Sequence, residues 1–545
     1  ADARELRFPV VLKPRHQDIS APAGKAPAFK VMHCASYEDM VRALAPFRAS
    51  GDYPLVQEYC PGYGIGVEAL MRRGDLLMAQ ERYAEAIAAY DDCLQRFPTL
   101  EEAGQSRHRA VILALDHCQI MLEERPQEAG LLCEQAALLE RLGRFDEALA
   151  SLDRALEFAP THQQALNQRG NVLLHLNRHE EAVLCYDRIL AQSAVDAAAI
   201  FNRGNVLQKM NCINQALWCY EQALTLQPNF PEAEMAQSHC LLLQGDFVGG
   251  WQHHEARWRT SQLRGQGLFP HEPAWLGEPS LEGRSILLWA EQGLGDTIQF
   301  ARYIPLVAGM AAQVTVCVPE TLRRLLASLT TVPNVTLVSN DKALTPHDFH
   351  CPLMSLPLAL SWTLATIPTA VPYLHADAEL KQQWSAVLGP ASPRLRVGLA
   401  WAGRQYGELN HTRDIPLSHL RPVAEIGVEM VSLQQQIPTG DVAELAQWGR
   451  MRRLEAAMTD MAETAALIDN LDLVISADTA VIHLAGALGK PAWLLLRYES
   501  EWRWGWQTGS SRWYPTVKVF RQQHRGDWSG VVEEIAECLR LAADG

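Results

Sequence analysis

Small residues recur at a fixed interval in the first half of this chain. Ala136, Gly170 and Gly204 stand 34 positions apart, and so do Ala148, Ala182 and Ala216. Tyr186 and Tyr220 follow in register, with Leu152 in the equivalent place. Pro160 and Pro228 close two of the units, and Ala194 takes the corresponding place between them. An earlier unit carries the same marks at Gly74, Ala86, Tyr90 and Pro98. A last one, over 232–258, is degenerate, and 101–128 is out of register. Each unit of such a period is one pair of helices that buries its apolar face against its neighbours. Small side chains let the paired helices touch. Proline ends the second helix because it cannot donate a backbone hydrogen bond. The pattern predicts an all-α solenoid over 67–262.

This spacing resembles tetratricopeptide repeats. The resemblance implies a concave face open to a partner. Gln168 and Asn202 occupy one repeat position, and Asn171 and Asn205 another. Each carboxamide offers both a donor and an acceptor, so a ladder of them could hold a peptide backbone of any sequence. The same amides could instead bridge or cap neighbouring helices.

Residues 1–66 have a different texture. An apolar strand over 8–14 delivers Lys13, helical spacing covers 35–47, and a second strand over 54–59 carries Glu58 before a glycine-rich turn. This small α/β piece resembles a fragment of an ATP-grasp domain, in which the strand lysine contacts phosphates and the Gln-Glu-Tyr strand forms the adenine hinge. The acidic metal-binding part of that family is missing from the stretch that follows. Lys13 and Glu58 would be relics of a nucleotide site, or the piece a small appendage.

Bulk properties narrow the function classes. The 545 residues are too many for one core. A net charge of −15 gives no global field to attract nucleic acid, which leaves room for a local basic pocket. Twelve cysteines without CxxC or Cys/His metal spacing suit free buried thiols in a reducing compartment. No apolar run reaches the ~20 residues of a membrane span, and no secretion signal is apparent. The expectation is a cytoplasmic protein without a metal or other cofactor. A homo-oligomer through the terminal repeats is compatible with the pattern.

After a Gly- and Pro-rich linker over 260–279, strand-like runs alternate with helices. Apolar runs lie at 285–289, 314–318, 335–338, 396–401, 429–433, 473–476 and 492–496. Continuous apolar strands alternating with helices predict doubly wound parallel sheets. A break near 377–393 separates two such units, placing one lobe with its linker at 263–390 and the other at 391–545. Two Rossmann-like lobes describe the GT-B fold, so the chain as a whole reads as multidomain. Ligands in such sheets bind beyond the carboxyl ends of the strands.

Two motifs carry chemistry. Residues 291–300, Glu-Gln-Gly-Leu-Gly-Asp-Thr-Ile-Gln-Phe, follow the first strand of lobe one and open a helix. Asp296 is either an N-cap or a general base, and Glu291 is a second candidate for the base. Gly295 would permit close approach of a substrate. Residues 476–491 run from a strand into a helix beginning near Asp478. Backbone amides at Thr479, Ala480 and Val481 would face an anion there, with His483 just over one turn further on. Gln434, past the end of a strand, is a candidate ribose or base contact. The aromatic stretch over 501–515 could line a ligand pocket or seal a core.

The Asp478–Thr479…His483 segment, with its Ala-Gly-Ala-Leu-Gly-Lys-Pro tail, resembles the donor-binding signature of the ADP-heptose:lipopolysaccharide heptosyltransferases. Gly295-Asp296 matches that family's Gly-Asp turn, where the aspartate is the proposed base. Trp401-Ala402-Gly403 and Arg413 match a Trp/Gly loop and a basic residue, with arginine in place of the family's lysine. The resemblance implies an inverting, metal-independent glycosyltransferase with a nucleotide-sugar donor. Fusion to repeats resembles the layout of bacterial and other protein O-glycosyltransferases, which implies a protein acceptor. The alternatives are a lipopolysaccharide or other glycan acceptor, and a non-enzymatic scaffold with a decayed transferase half.

Overall fold

The computed structural model describes residues 65–96, 100–260, 272–339, 345–390, 392–403, 413–449, 451–499, 501–506 and 509–544, together with three short strands nearer the N-terminus. The chain divides into two compact units, Ala1–Ala194 and Val195–Gly545.

In the first unit, β1 (Val10–Lys13), β2 (Met32–Cys34) and β3 (Leu55–Glu58) form an antiparallel sheet in the order β2-β1-β3. Lys13 is opposite Leu55 and Glu58 opposite Val10, so the two expected nucleotide contacts sit at opposite ends of the strand pair. The helix expected over 35–47 lies outside the described residues. Seven helices follow, from Ile65–Ala79 to His179–Gln192. The out-of-register stretch forms one long helix, Glu101–Glu124.

The small residues of the period lie where they are needed. A Cβ on Gly170 would come within 2.5 Å of the Tyr186 ring, so only glycine lets these helices close. The period also marks the turns inside each helix pair. Gly143, Asn177 and Asn211, again 34 apart, all have positive φ (71°, 58° and 60°). Glycine and asparagine are the residues that adopt this left-handed conformation at least cost.

The second unit begins inside the repeat array. Its helices Ala197–Lys209, Ile213–Leu226, Pro231–Gln244 and Phe247–His254 are continuous in contact with the α/β part. Compactness thus divides the chain at 194, while the change of texture comes near 262. The first sheet is fully parallel, ordered β6-β5-β4-β7, from β4 (Ser285–Trp289), β5 (Gln313–Val318), β6 (Val335–Ser339) and β7 (Phe349–Pro352). The second is ordered β12-β13-β11-β10-β8-β9, with β8 (Arg396–Ala400), β9 (Glu429–Ser432), β10 (Leu473–Ala477), β11 (Ala492–Leu496), β12 (Gly509–Ser510) and β13 (Val517–Arg521). Only the β12–β13 pair is antiparallel. These are the two Rossmann-like lobes of the GT-B fold. No helix among the described residues is long and apolar enough to cross a membrane.

Candidate functional site

The two glycine-containing motifs meet. Helix Leu294–Phe300 of lobe one packs on helix Ala480–Ala487 of lobe two. A Cβ on Gly295 would lie 2.9 Å from the His483 ring and 3.5 Å from the Ala480 Cα. The absence of a side chain at Gly295 therefore lets the two helices touch.

Asp296 sits in the first turn of its helix, while the N-cap is Gly293. It is not the cap that its position after a turn suggested. Its carboxylate, 19% exposed, pairs with Arg503 (Nη2 to Oδ1, 2.5 Å). Arg503 also donates through Nη1 to Glu501 Oε1 at 2.5 Å, and its guanidinium lies 4.1 Å over the Trp502 ring. Burial opposes the charge on Arg503, and Asp296 and Glu501 more than offset it. Burial also pushes the Glu501 carboxyl above its usual range, against the pull of Arg503. Next to Arg503, Trp504 Nε1 donates to Asp478 Oδ1 at 2.9 Å. One short segment after β11, 501–504, thus touches both motifs.

At the start of helix Ala480–Ala487, Thr479 is the N-cap and its hydroxyl accepts from Val481 N at 3.3 Å. One of the three amides expected to face an anion is therefore taken. Thr479 and Ala480 are half-buried. Arg413, half exposed, stands with Nη1 4.0 Å from Asp478 Oδ2. A small cleft at the carboxyl end of β11 joins Arg413, Asp478, Arg497, Glu499 and Glu501. Arg521, at the end of β13, ties this loop by donating to Gly505 O at 2.5 Å and Arg497 O at 3.4 Å. The cleft is therefore mixed in charge, with Arg413 and Arg497 set among Asp478, Glu499 and Glu501, and is not the basic pocket that the negative overall charge left room for.

Several expected contacts have other work. Glu291 is 1% exposed and lies against Arg257, Nη2 to Oε2 at 2.9 Å, and it accepts from Met354 N at 3.0 Å. Arg257 in turn donates to Glu255 and Ser355. Glu291 belongs to a buried ionic network under the lobe and cannot reach an acceptor. His483 is 4% exposed, with Nδ1 3.0 Å from Tyr514 OH and its ring 5.0 Å from that of Trp504. Burial, with nearby arginines, holds its imidazole well below the usual range, so it is neutral and sealed from a phosphate. Gln434 accepts from Trp401 N and Ala402 N, both at 3.1 Å, and donates to Ala402 O and Gln436 O, both at 2.9 Å. With its capacity filled it staples the loop and leaves nothing for a ribose. Trp401 is fully buried in the lobe-two core. Gly403 N is held by Asp414 Oδ1 at 2.8 Å. Trp502, Trp504, Trp513 and Tyr514 are all at most 4% exposed.

The repeat amides divide as well. Asn171 Oδ1 accepts from Tyr186 OH at 2.7 Å, and Asn205 Oδ1 from Tyr220 OH at 3.0 Å. They bridge the two helices of a repeat and do not form a ladder of free amides. Asn202 is half-buried and partnered. Gln168 Oε1 is buried without a hydrogen-bond partner. Sequence reading missed Arg503 and Glu501 as site residues. The only available signal was the alternation of charge and tryptophan in Glu501-Trp502-Arg503-Trp504.

Comparison with known proteins agrees with this division. Residues 67–100, 133–197 and 197–230 match tetratricopeptide-repeat families. Residues 443–527 match glycosyltransferase family 9 (heptosyltransferase), a stretch that holds Asp478, His483, Glu501 and Arg503. Protein FlbA of Caulobacter vibrioides is 26% identical over 351 residues. The match takes in 58% of this chain and spans 57% of that relative's length. Among solved structures, E. coli ADP-heptose lps heptosyltransferase II is similar over 48% of this chain and all of its own, at 16% identity and a TM-score of 0.35. YrrB, a TPR protein with an unusual peptide-binding site, is 24% identical and covers 28% of this chain and 78% of its own, with a TM-score of 0.24.

Proposed function

We propose that the chain is a glycosyltransferase that moves a sugar from a nucleotide-diphosphate donor to a hydroxyl of a protein held by the repeats. The observation that carries the reading is the meeting of Asp296 and Asp478 on the segment 501–504, within and beside the stretch that matches glycosyltransferase family 9. In this reading the donor diphosphate lies at the start of helix Ala480–Ala487, where the helix dipole and the Arg413 guanidinium favour an anion. The acceptor oxygen attacks the anomeric carbon from the face opposite the diphosphate. The bond from that carbon to the diphosphate oxygen breaks, and its electron pair leaves with the nucleotide. Asp296 takes the hydroxyl proton, the role an inverting transfer assigns to a carboxylate. Cationic side chains and backbone amides take up the leaving charge, so the reaction needs no metal ion.

The repeats favour a macromolecular acceptor over a free sugar, because a helical array offers an extended surface. The second reading, a lipopolysaccharide or other glycan acceptor, draws on the resemblance of the donor motif. Incubating the protein with labelled nucleotide sugars and a native lysate separates them. Label in a protein band is the expected result. Label confined to a lipid or glycan fraction would replace the first reading with the second, and no label with any donor would leave only a scaffold.

A further inference from the structure

Arg503 has two carboxylate partners, Asp296 and Glu501, each at 2.5 Å. Its backbone N–H also donates to Glu501 Oε2 at 2.8 Å. Glu501 therefore grips the guanidinium from its own loop, while Asp296 reaches it from the other lobe. The pair with Asp296 poses a problem for transfer. With Asp296 Oδ1 occupied by the guanidinium at 2.5 Å, an acceptor hydroxyl cannot come up to that oxygen. Glu501, which grips the guanidinium, also lines the cleft at the end of β11 together with Asp478 and Arg413.

Resting on the transferase reading, we infer that Arg503 is a positioning residue that exchanges partners. Without donor it neutralises Asp296. When the donor diphosphate arrives, the guanidinium turns to the phosphate oxygens while Glu501 keeps hold of its other face. Asp296 is then free to receive the acceptor proton. Arg503 gains and loses no proton at any point. The exchange makes base activation depend on donor occupancy, so that Asp296 is unmasked only when a leaving group is in place. Trp502, stacked on the guanidinium at 4.1 Å, gives it a surface to slide along.

A competition of this kind has a thermodynamic sign. Asp296 and the diphosphate contend for one guanidinium, so weakening the first partner strengthens the second. The test is calorimetric titration with whichever of ADP, GDP, UDP, CDP and dTDP most raises the melting temperature of the full chain. D296N is expected to bind it roughly 3- to 10-fold more tightly, and R503M roughly tenfold more weakly. R503K, which keeps the charge but not the fork, should fall between wild type and R503M. In the double variant D296N/R503M the tightening should vanish. Equal tightening by D296N with and without Arg503 would mean simple charge repulsion and would overturn the exchange. So would an R503M affinity equal to that of wild type. Failure of the wild-type chain to bind any of the five nucleotides would instead remove the donor reading, and the exchange with it.

Discussion

Glu291 lies two residues past the end of β4, and Asp296 five residues later in the first turn of the next helix. The first is 1% exposed and enclosed by Arg257 and Met354 N. The second is 19% exposed and has one cationic partner, from a loop of the other lobe. The two carboxylates flank one glycine-bearing turn, and both were reasonable candidates for a base. What separates them is where their arginines come from. Arg257 belongs to the last turn of the repeat array, whereas Arg503 belongs to the family 9 stretch. The Glu291 side of the motif anchors the lobe to the repeats, and the Asp296 side meets the loop of the other lobe.

The anchor should carry the larger stability effect. Arg257→Ala leaves Glu291 and Glu255 buried without their shared cation, and it should cost about 3–5 kcal/mol in chemical denaturation of the Val195–Gly545 unit. A loss under 1 kcal/mol would break the distinction between the two sides. The next effect is a dependence on pH. Burial pushes the Glu291 carboxyl from its usual 4.5 up to about 7, despite the pull of Arg257. A raised carboxyl pKa means the folded state holds the proton more tightly than the unfolded one. That contribution is complete below pH 4.5 and is lost as pH rises through 7. Wild type should therefore lose up to about 3 kcal/mol relative to Glu291→Gln between pH 4.5 and 8. Parallel stability curves across that window would contradict the burial argument. The smallest effect lies in the repeats. Tyr186→Phe removes the hydroxyl that bonds Asn171 and should cost about 1 kcal/mol in the first unit. It should leave transfer unchanged once the protein is folded, in keeping with a bridging role for Asn171.

The repeat helices were legible because their determinants are local and recur every 34 residues. Even there, period alone assigned Asn171 and Asn205 to a ligand or to a bridge with equal ease. The tyrosine that decides the matter was itself a mark of the period. The sheet strands were legible where both faces are buried and the run is apolar. The reading missed β7, whose Phe-His-Cys-Pro is short and broken by a histidine and a proline, and β13, where Lys518 interrupts the apolar run with an exposed side chain. The site was legible in its motifs and not in its partners. Asp296 meets an arginine 207 positions away, and Glu291 meets one 34 positions back in a different domain texture. Likewise, Gln434 looks like a ligand contact until the loop at Trp401 fills three of its hydrogen-bonding positions and Gln436 O the fourth.

In the proposed reaction Asp296, and not Glu291, takes the acceptor proton. The direct measurement is kcat/KM for Asp296→Asn and Glu291→Gln, side by side at pH 6, with the donor that labels protein and with both variants shown folded by circular dichroism. Asp296→Asn should fall roughly 10³-fold, while Glu291→Gln should stay within about tenfold of wild type. A loss in Glu291→Gln equal to or larger than that in Asp296→Asn would contradict the account.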